Sequence, residues 1–173
     1  GYNQDWFDRN SLFPCDEDDE DDEDDESLDL PSRRMSRALA FQVLSEIDVT
    51  DHNKDTVLSW LVENNVVDKT TVLFASYIVN NVEEKKDSLD AQISLHATAW
   101  PLNQISVVDR SLLRMAFFEV LFDKATSYQV IINEAIELAK LFGSDNSAKF
   151  VNGVLGALLE NEIIENLPNF EGR

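Results

Sequence analysis

The sequence predicts an all-α protein, a compact bundle of about six to seven helices behind a disordered acidic N-terminal tail. From residue 33 to about residue 160, apolar residues recur every three or four positions, which is the period of a helix face. No stretch shows the alternation of apolar and polar residues that is typical of a strand. Only five glycines and four prolines occur in 173 residues, too few for the turns of a many-stranded sheet.

The N-terminal segment is dominated by eleven consecutive carboxylates, from Asp16 to Glu26. Such a block repels itself and buries no apolar surface, so we predict that it is disordered. Apolar and aromatic residues precede it, namely Trp6, Phe7, Leu12 and Phe13. They form either an untethered terminus or a short motif that docks on a partner or on the chain's own surface. The predicted boundaries are a tail over 1–31, a helical domain over 32–165 and a C-terminal tail over 166–173.

The net charge of −20 at first argues against nucleic acid as a ligand, because phosphates repel surplus carboxylates. The charge is unevenly distributed, however. Residues 1–30 hold 14 acidic residues and one base, a net charge of −13, whereas residues 31–173 carry a net charge of −7. The helical domain is therefore only moderately acidic, and the positions of its bases matter more than their sum.

The first half of the domain divides into helices at polar residues. Ser32 is predicted to cap a first helix that runs to about Asp48. A second helix is expected from Thr56 to about Val67, with Trp60 and Leu61 facing inward. A third begins after the N-cap Asp68, bends near Asp87 and continues to about His96, before Pro101 breaks the chain.

The second half contains three further predicted helices. Ser106 opens the clearest of them, since Ser106 and Asp109 have the spacing of a capping box. Ser127 begins the next, with Gly143 just beyond its end. Asp145 or Asn146 begins the last.

Enzyme motifs are absent from the sequence. His52 and His96 have no metal-binding spacing, Cys15 has no partner for a disulfide or catalysis, and no glycine-rich nucleotide loop is present. We therefore expect no catalytic residues, no metal site and no cofactor. We also expect no membrane association, because the apolar runs are short and interrupted by charge and no signal peptide is apparent.

Two local clusters point to binding instead. Arg33, Arg34 and Arg37 lie in the first turns of the first helix, where the helix N-terminus also favours anions. They form either an edge that binds phosphate or simply a solvated helix start. In the second cluster, Lys149 and Phe150 bring charge beside an aromatic ring, as single-stranded RNA sites do, although such a phenylalanine is often a core residue.

The chain resembles the NusB family over most of its helical part. The resemblance is carried by three ordered segments and an arginine-rich start: Ile105 to Arg114 with Ala116 and Glu119; Ile132 to Lys140 with Phe142 and Gly143; Lys149 to Leu155; and Arg33, Arg34, Arg37, Ala40, Gln42 and Leu44. It departs from the family at Ser45, where an aromatic residue is common, at Asn81, where glycine is frequent, and at Asn146, where an acidic residue can occur.

The resemblance implies an all-α, non-enzymatic transcription antitermination factor. Such a factor pairs with NusE, a small-subunit ribosomal protein, and binds boxA RNA on the transcribing RNA polymerase complex during ribosomal RNA synthesis. The RNA-binding residues carried over by position are Arg33, Arg34, Arg37, Arg114, Asn146, Lys149 and Phe150. The resemblance further implies a bacterial cytoplasmic protein, with a plastid as the alternative, and self-association as a homodimer in some members.

Two other interpretations remain open at this stage. The chain could be an interaction scaffold whose RNA binding is weakened, or autoinhibited by the acidic tail folding over the arginine edge. NusB-like domains also precede ribosomal RNA cytosine methyltransferases, but that interpretation requires a downstream cofactor-binding domain and catalytic cysteines.

Overall fold

The computed structural model describes the backbone of residues 29–166 and the side chains of residues 32–166. Within them lie seven α-helices and no strand, which confirms the all-α prediction: α1 Asp29–Val49, α2 Lys54–Glu63, α3 Lys69–Glu84, α4 Lys86–His96, α5 Val107–Phe118, α6 Tyr128–Phe142 and α7 Ser147–Glu165. Residues 1–28, which contain the predicted acidic run, and the residues from 167 onward lie outside this description.

Helix α5 is the central element of the core. Its residues from Ser111 to Phe118 are all buried, and the helix packs on α1, α3, α4, α6 and α7. Leu113 and Phe117 are completely inaccessible to solvent. The helix is therefore enclosed by neighbours on every side over these residues, and the polar groups among them, such as Arg114, require partners inside the bundle.

Most predicted helix starts are confirmed by their capping hydrogen bonds. The Asp68 carboxylate accepts the backbone N–H of Thr71 at 2.7 Å and begins α3. The Ser106 hydroxyl accepts the N–H of Asp109 at 3.2 Å, and Ser127 caps α6 in the same way. These caps satisfy N–H groups that a helix start leaves without a partner.

Three local predictions are wrong. Ser32 does not cap α1, which begins at Asp29; its hydroxyl instead bonds to the Thr71 hydroxyl at 2.9 Å and ties α1 to α3. Trp60 does not face inward but is 39% exposed, and Val57 is the buried residue of α2. Helix α2 also ends at Glu63, earlier than predicted, since the amide of Asn64 bonds back to the Trp60 carbonyl.

A π-helical turn follows α5 directly and covers Glu119–Asp123. It closes with a hydrogen bond from the Lys124 N–H to the Glu119 carbonyl, and Lys124 takes a left-handed conformation with φ of 56°. Turns of this type interrupt a regular helix and often occur at functional positions. Here it turns Phe122 toward solvent while Glu119 remains in the core.

None of the helices between residues 29 and 166 is both long and apolar enough to cross a lipid bilayer.

Candidate RNA interface

Side chains of helices α1 and α6 meet at two points, and we call the surface around these contacts the α1–α6 edge. They touch through Arg34 and Glu134 near one end, and through the rings of Phe41 and Phe142, 4.7 Å apart, near the other. Both contacts advance in the same direction along the two helices, so α1 and α6 run parallel. This edge leads from the predicted arginine cluster to the start of α7, which follows Phe142 after a short turn.

Arg34 lies on this edge in a bidentate pair with Glu134. Its Nε and Nη2 atoms donate to the Glu134 carboxylate, with an Nη2 to Oε1 distance of 2.8 Å. The hydrogen bond to Glu134 raises the pKa of Arg34 more than partial burial lowers it. The Arg34 side chain is 36% exposed whereas Glu134 is buried, so the pair holds a charged side chain that is partly accessible to solvent.

Arg33 takes a different position on the surface. Its guanidinium carbon lies 3.7 Å from the centroid of the Phe74 ring, a cation–π contact with α3. The side chain is partly exposed, and no carboxylate among residues 32–166 pairs with it. Arg33 therefore keeps its charge available at the start of α1, on the side that packs against α3.

The structure corrects the prediction that all three arginines present one exposed basic edge. Arg37 points into the core, where its Nη2 lies 2.7 Å from Glu119 Oε1 and its Nε 3.0 Å from Glu119 Oε2. The two side chains are only 4% and 3% exposed. Burial lowers the pKa of Arg37, but the bond to Glu119 outweighs it and the net pKa is raised.

Arg114 is also buried, in a different part of the molecule. It donates to Asp90 at 2.7 Å and to Asp48 at 3.1 Å, and Asp48 receives a further pair of bonds from Arg110. Asp48 lies at the opposite end of α1 from Arg33 and Arg34, 14 residues or about 21 Å along the helix. The structure thus separates Arg114 from Arg33 and Arg34.

Asp48 makes this second cluster sensitive to acid. Burial raises the pKa of Asp48, but the hydrogen bonds from Arg110 and Arg114 outweigh it and hold the pKa below its ordinary value. A depressed carboxyl pKa stabilises the fold above the unfolded-state value, and this stability is lost as the pH falls through the folded-state value. We expect urea denaturation to show an Asp48→Asn defect that is largest near neutral pH and shrinks below about pH 4. The exposed Asp51→Asn is the control, and a defect that is independent of pH would contradict this assignment.

The three remaining predicted residues cluster at the start of α7. Asn146 is exposed and occupies the N-cap position, yet its side chain makes no capping hydrogen bond. Lys149 is exposed one turn later, and Phe150 beside it is partly buried against the core. An amide, an ammonium and an aromatic face thus lie together at the end of the α1–α6 edge.

A close contact at Gly143 sets the position of this cluster. A Cβ on Gly143 would lie 2.4 Å from the Ser147 Cβ and 2.6 Å from the Ala139 carbonyl oxygen. Gly143 has an extended conformation, with φ of −89° and ψ of −176°, so it is needed for space and not for a left-handed φ. It allows α6 and α7 to approach closely at their junction.

Sequence reasoning missed the acidic partners, Glu119 and Glu134. Each is buried, at 2% and 4% exposure, within an otherwise apolar helical segment. A carboxylate at such a position requires a cation or another strong donor. Glu119 is the only polar residue from Met115 to Leu121, and this placement was the signal that could have indicated a buried arginine partner.

The fold and this edge define an all-helical protein with a candidate surface for single-stranded nucleic acid. The model of the NusB family matches residues 34–160. The chain belongs to the NusB family.

Individual relatives agree with this assignment. The transcription antitermination protein NusB of Dehalococcoides mccartyi is 42% identical over 127 residues, which cover 73% of this chain and 89% of the relative. That of Chloroflexus aggregans is 41% identical over 141 residues, which cover 80% and 94%.

Solved structures give the same result for the fold. The structure of NusB from T. maritima has 35% identity and a TM-score of 0.67, and covers 77% of this chain and 96% of its own. A structure of antitermination factors NusB and NusE in complex with double-stranded RNA has 26% identity and a TM-score of 0.70, and covers 76% and 98%.

Proposed function

We propose that this chain is a transcription antitermination factor that binds single-stranded boxA RNA together with NusE. The proposal is supported by the accessible charged and polar side chains of Arg33, Arg34, Asn146 and Lys149, with Arg34 on the α1–α6 edge. The related complex of NusB with NusE and RNA supports RNA and NusE as the partners. In this role the protein acts by binding and not by catalysis.

The structure divides the predicted RNA-binding residues by their accessibility. Arg33 and Arg34 begin the proposed RNA path and contact phosphates, with Glu134 holding the Arg34 guanidinium in place. Lys149 contacts a further phosphate, while Phe150 stacks on a base and Asn146 hydrogen-bonds to a base edge. Arg37 and Arg114 are buried in ion pairs, so their contribution is to position α1, α4 and α5.

Stacking on Phe150 gives the most specific test. We expect Phe150→Leu to weaken boxA binding by about 1–3 kcal/mol, because leucine retains the apolar contact but lacks the aromatic face. Fluorescence anisotropy with labelled boxA RNA, in the presence of NusE, measures the change. Trp100→Leu, which alters an exposed aromatic residue after α4, is the matched control and should bind as the parent does. Equal affinity of both variants would contradict the stacking role.

Lys149 is tested by salt dependence. Removing one phosphate contact with Lys149→Gln should lower the slope of log affinity against log salt by about 0.7, the value for one charge on a single strand. Lys54→Gln, on α2 and away from the edge, changes the protein charge equally and should leave the slope unchanged. Equal slopes for the two variants would remove Lys149 from the path.

The wider assembly follows from the same proposal. Bound to boxA and NusE, the protein joins the transcribing RNA polymerase complex during ribosomal RNA synthesis, in the bacterial cytoplasm or, as the alternative, in a plastid. Two copies can also pair as a homodimer.

The interpretation as a methyltransferase fragment has less support, since the chain spans 89–94% of two relatives that are antitermination proteins. Absence of boxA binding by both the full chain and a chain without the acidic tail, with NusE present, would contradict the RNA-binding proposal.

A further inference from the structure

A strip of aromatic rings and cations runs along α3 and the π-helical turn, beside the RNA path. It starts at Arg33 over Phe74, continues to Tyr77 with ring centroids 6.0 Å apart, and reaches Phe118 after a further 5.7 Å. At its far end the Lys85 ammonium lies 6.0 Å from the Phe118 ring and 5.7 Å from that of Phe122. We refer to these contacts as the aromatic strip.

Several large apolar side chains in and beside the aromatic strip are exposed to solvent. Tyr77 is 41% exposed and Phe122 44%, and Leu73, within one turn of Tyr77 on α3, is 59% exposed. The Tyr77 hydroxyl donates to Asp123 at 2.6 Å, which fixes the ring in its outward position. Several large apolar side chains exposed near one another in this way are a mark of an interaction site.

We propose that the N-terminal arm of the same chain, residues 6–26, folds back onto the aromatic strip. The acidic run from Asp16 to Glu26 lies at the Arg33 end, and the aromatic segment from Trp6 to Phe13 covers Tyr77 and Phe122. This interaction goes beyond the proposed function and does not depend on it.

The order of residues along the arm matches the order of features along the strip. The arm joins α1 at Asp29, four residues before Arg33, so its acidic run reaches Arg33 first. No carboxylate among residues 32–166 pairs with Arg33, and the acidic run supplies one. The aromatic segment lies farther from α1, and correspondingly the exposed rings of Tyr77 and Phe122 lie farther from Arg33.

The arm is long enough to cover the strip. The bond between Ser32 and Thr71 holds the start of α1 against the start of α3. From Thr71 to Lys85 the helix rises about 21 Å at 1.5 Å per residue. An extended chain spans about 3.3 Å per residue, so the eleven acidic residues alone can bridge about 36 Å. The aromatic segment therefore reaches the far end of the strip.

Charge favours the arm over RNA as the occupant. The far end of the strip is bordered by Asp123 and by Glu84, which lies 3.7 Å from Lys85. RNA carries a phosphate at every nucleotide and would be repelled there. The arm concentrates its charge at the Arg33 end and places its apolar residues, with Arg9 among them, at the acidic end.

Cys15, the only cysteine of the chain, provides a labelling site between the acidic run and the aromatic segment. A nitroxide on Cys15 of the full chain, without RNA or NusE, should broaden the amide signals of α3 and the π-helical turn most strongly. Phe122→Ser should abolish this localised broadening. Leu95→Ser, which replaces another exposed apolar residue on α4, should retain it. High salt should weaken the broadening near Arg33, because salt screens the attraction between Arg33 and the acidic run.

Uniform broadening, or broadening centred on another face, would overturn the proposal. A second sample distinguishes a second copy as occupant: nitroxide-labelled protein at natural isotope abundance is mixed with unlabelled, isotope-enriched protein. Broadening of the enriched chain would show docking between copies and would also overturn the proposal. Because no RNA is present, failure here leaves the RNA-binding proposal untouched, and failure of RNA binding leaves this result intact.

Discussion

Arg37→Met is expected to lower the free energy of unfolding by about 3–5 kcal/mol, the usual cost of removing one partner of a buried ion pair. The substitution leaves Glu119, which is 2% exposed, without its cation in the core. Methionine fills most of the space of the arginine stem, so the loss reports the stranded carboxylate more than a cavity. Urea denaturation, followed by circular dichroism, measures the change.

The double variant Arg37→Met with Glu119→Leu is the control. Replacing both charges by apolar residues of similar volume removes the uncompensated carboxylate, so most of the lost stability should return. A single variant as stable as the parent would contradict the pair's structural role. A double variant no better than the single would show that the loss arises from packing and not from charge.

Gly143→Ala is expected to destabilise the protein by about 1–3 kcal/mol, the range for overpacking a tight contact. The added methyl group would lie 2.6 Å from the Ala139 carbonyl oxygen, a backbone atom that cannot move without distorting the end of α6. Gly156→Ala is the matched control, because no atom lies within 4 Å of the position that its Cβ would take. Within a helix, that change should stabilise by roughly 0.5–1 kcal/mol. Thermal unfolding of both variants gives the comparison.

Gly143→Ala should also affect RNA binding, which separates this residue from an ordinary packing position. The glycine sets the approach of α6 to α7 and therefore the position of Asn146, Lys149 and Phe150. At a temperature where the variant remains folded, we expect weaker boxA binding in the anisotropy assay. Full affinity in a folded variant would mean that the start of α7 keeps its place without the close contact.

The features that sequence predicted well depend on neighbours in the chain. Asp68, Ser106 and Ser127 cap helices through N–H groups three residues away, and such bonds can be read from local sequence. The orientation of the arginines could not be read in this way. Arg37 is held by Glu119, 82 residues later, and Arg34 by Glu134, 100 residues later.

In the candidate site, too, local features are predictable from sequence whereas contacts between distant residues are not. Asn146, Lys149 and Phe150 were grouped correctly because they share one helix start, and the bundle leaves the first two exposed. Arg114 was carried over from family resemblance, and the structure places it against Asp48 and Asp90 because α1, α4 and α5 meet there. The sequence predicts that Trp60 faces inward, yet α2 is short and buries only Val57.

The α1–α6 edge and the start of α7 as the RNA path are tested most directly by amide chemical-shift mapping. The isotope-enriched protein, with NusE bound, is titrated with boxA RNA and with a scrambled RNA of equal length. We expect amide chemical-shift changes concentrated at Arg33, Arg34 and residues 146–150. These changes should be larger for boxA than for the scrambled strand. Shifts centred instead on Asp48, Asp90 and Arg114, or no difference between the two RNAs, would contradict this expectation.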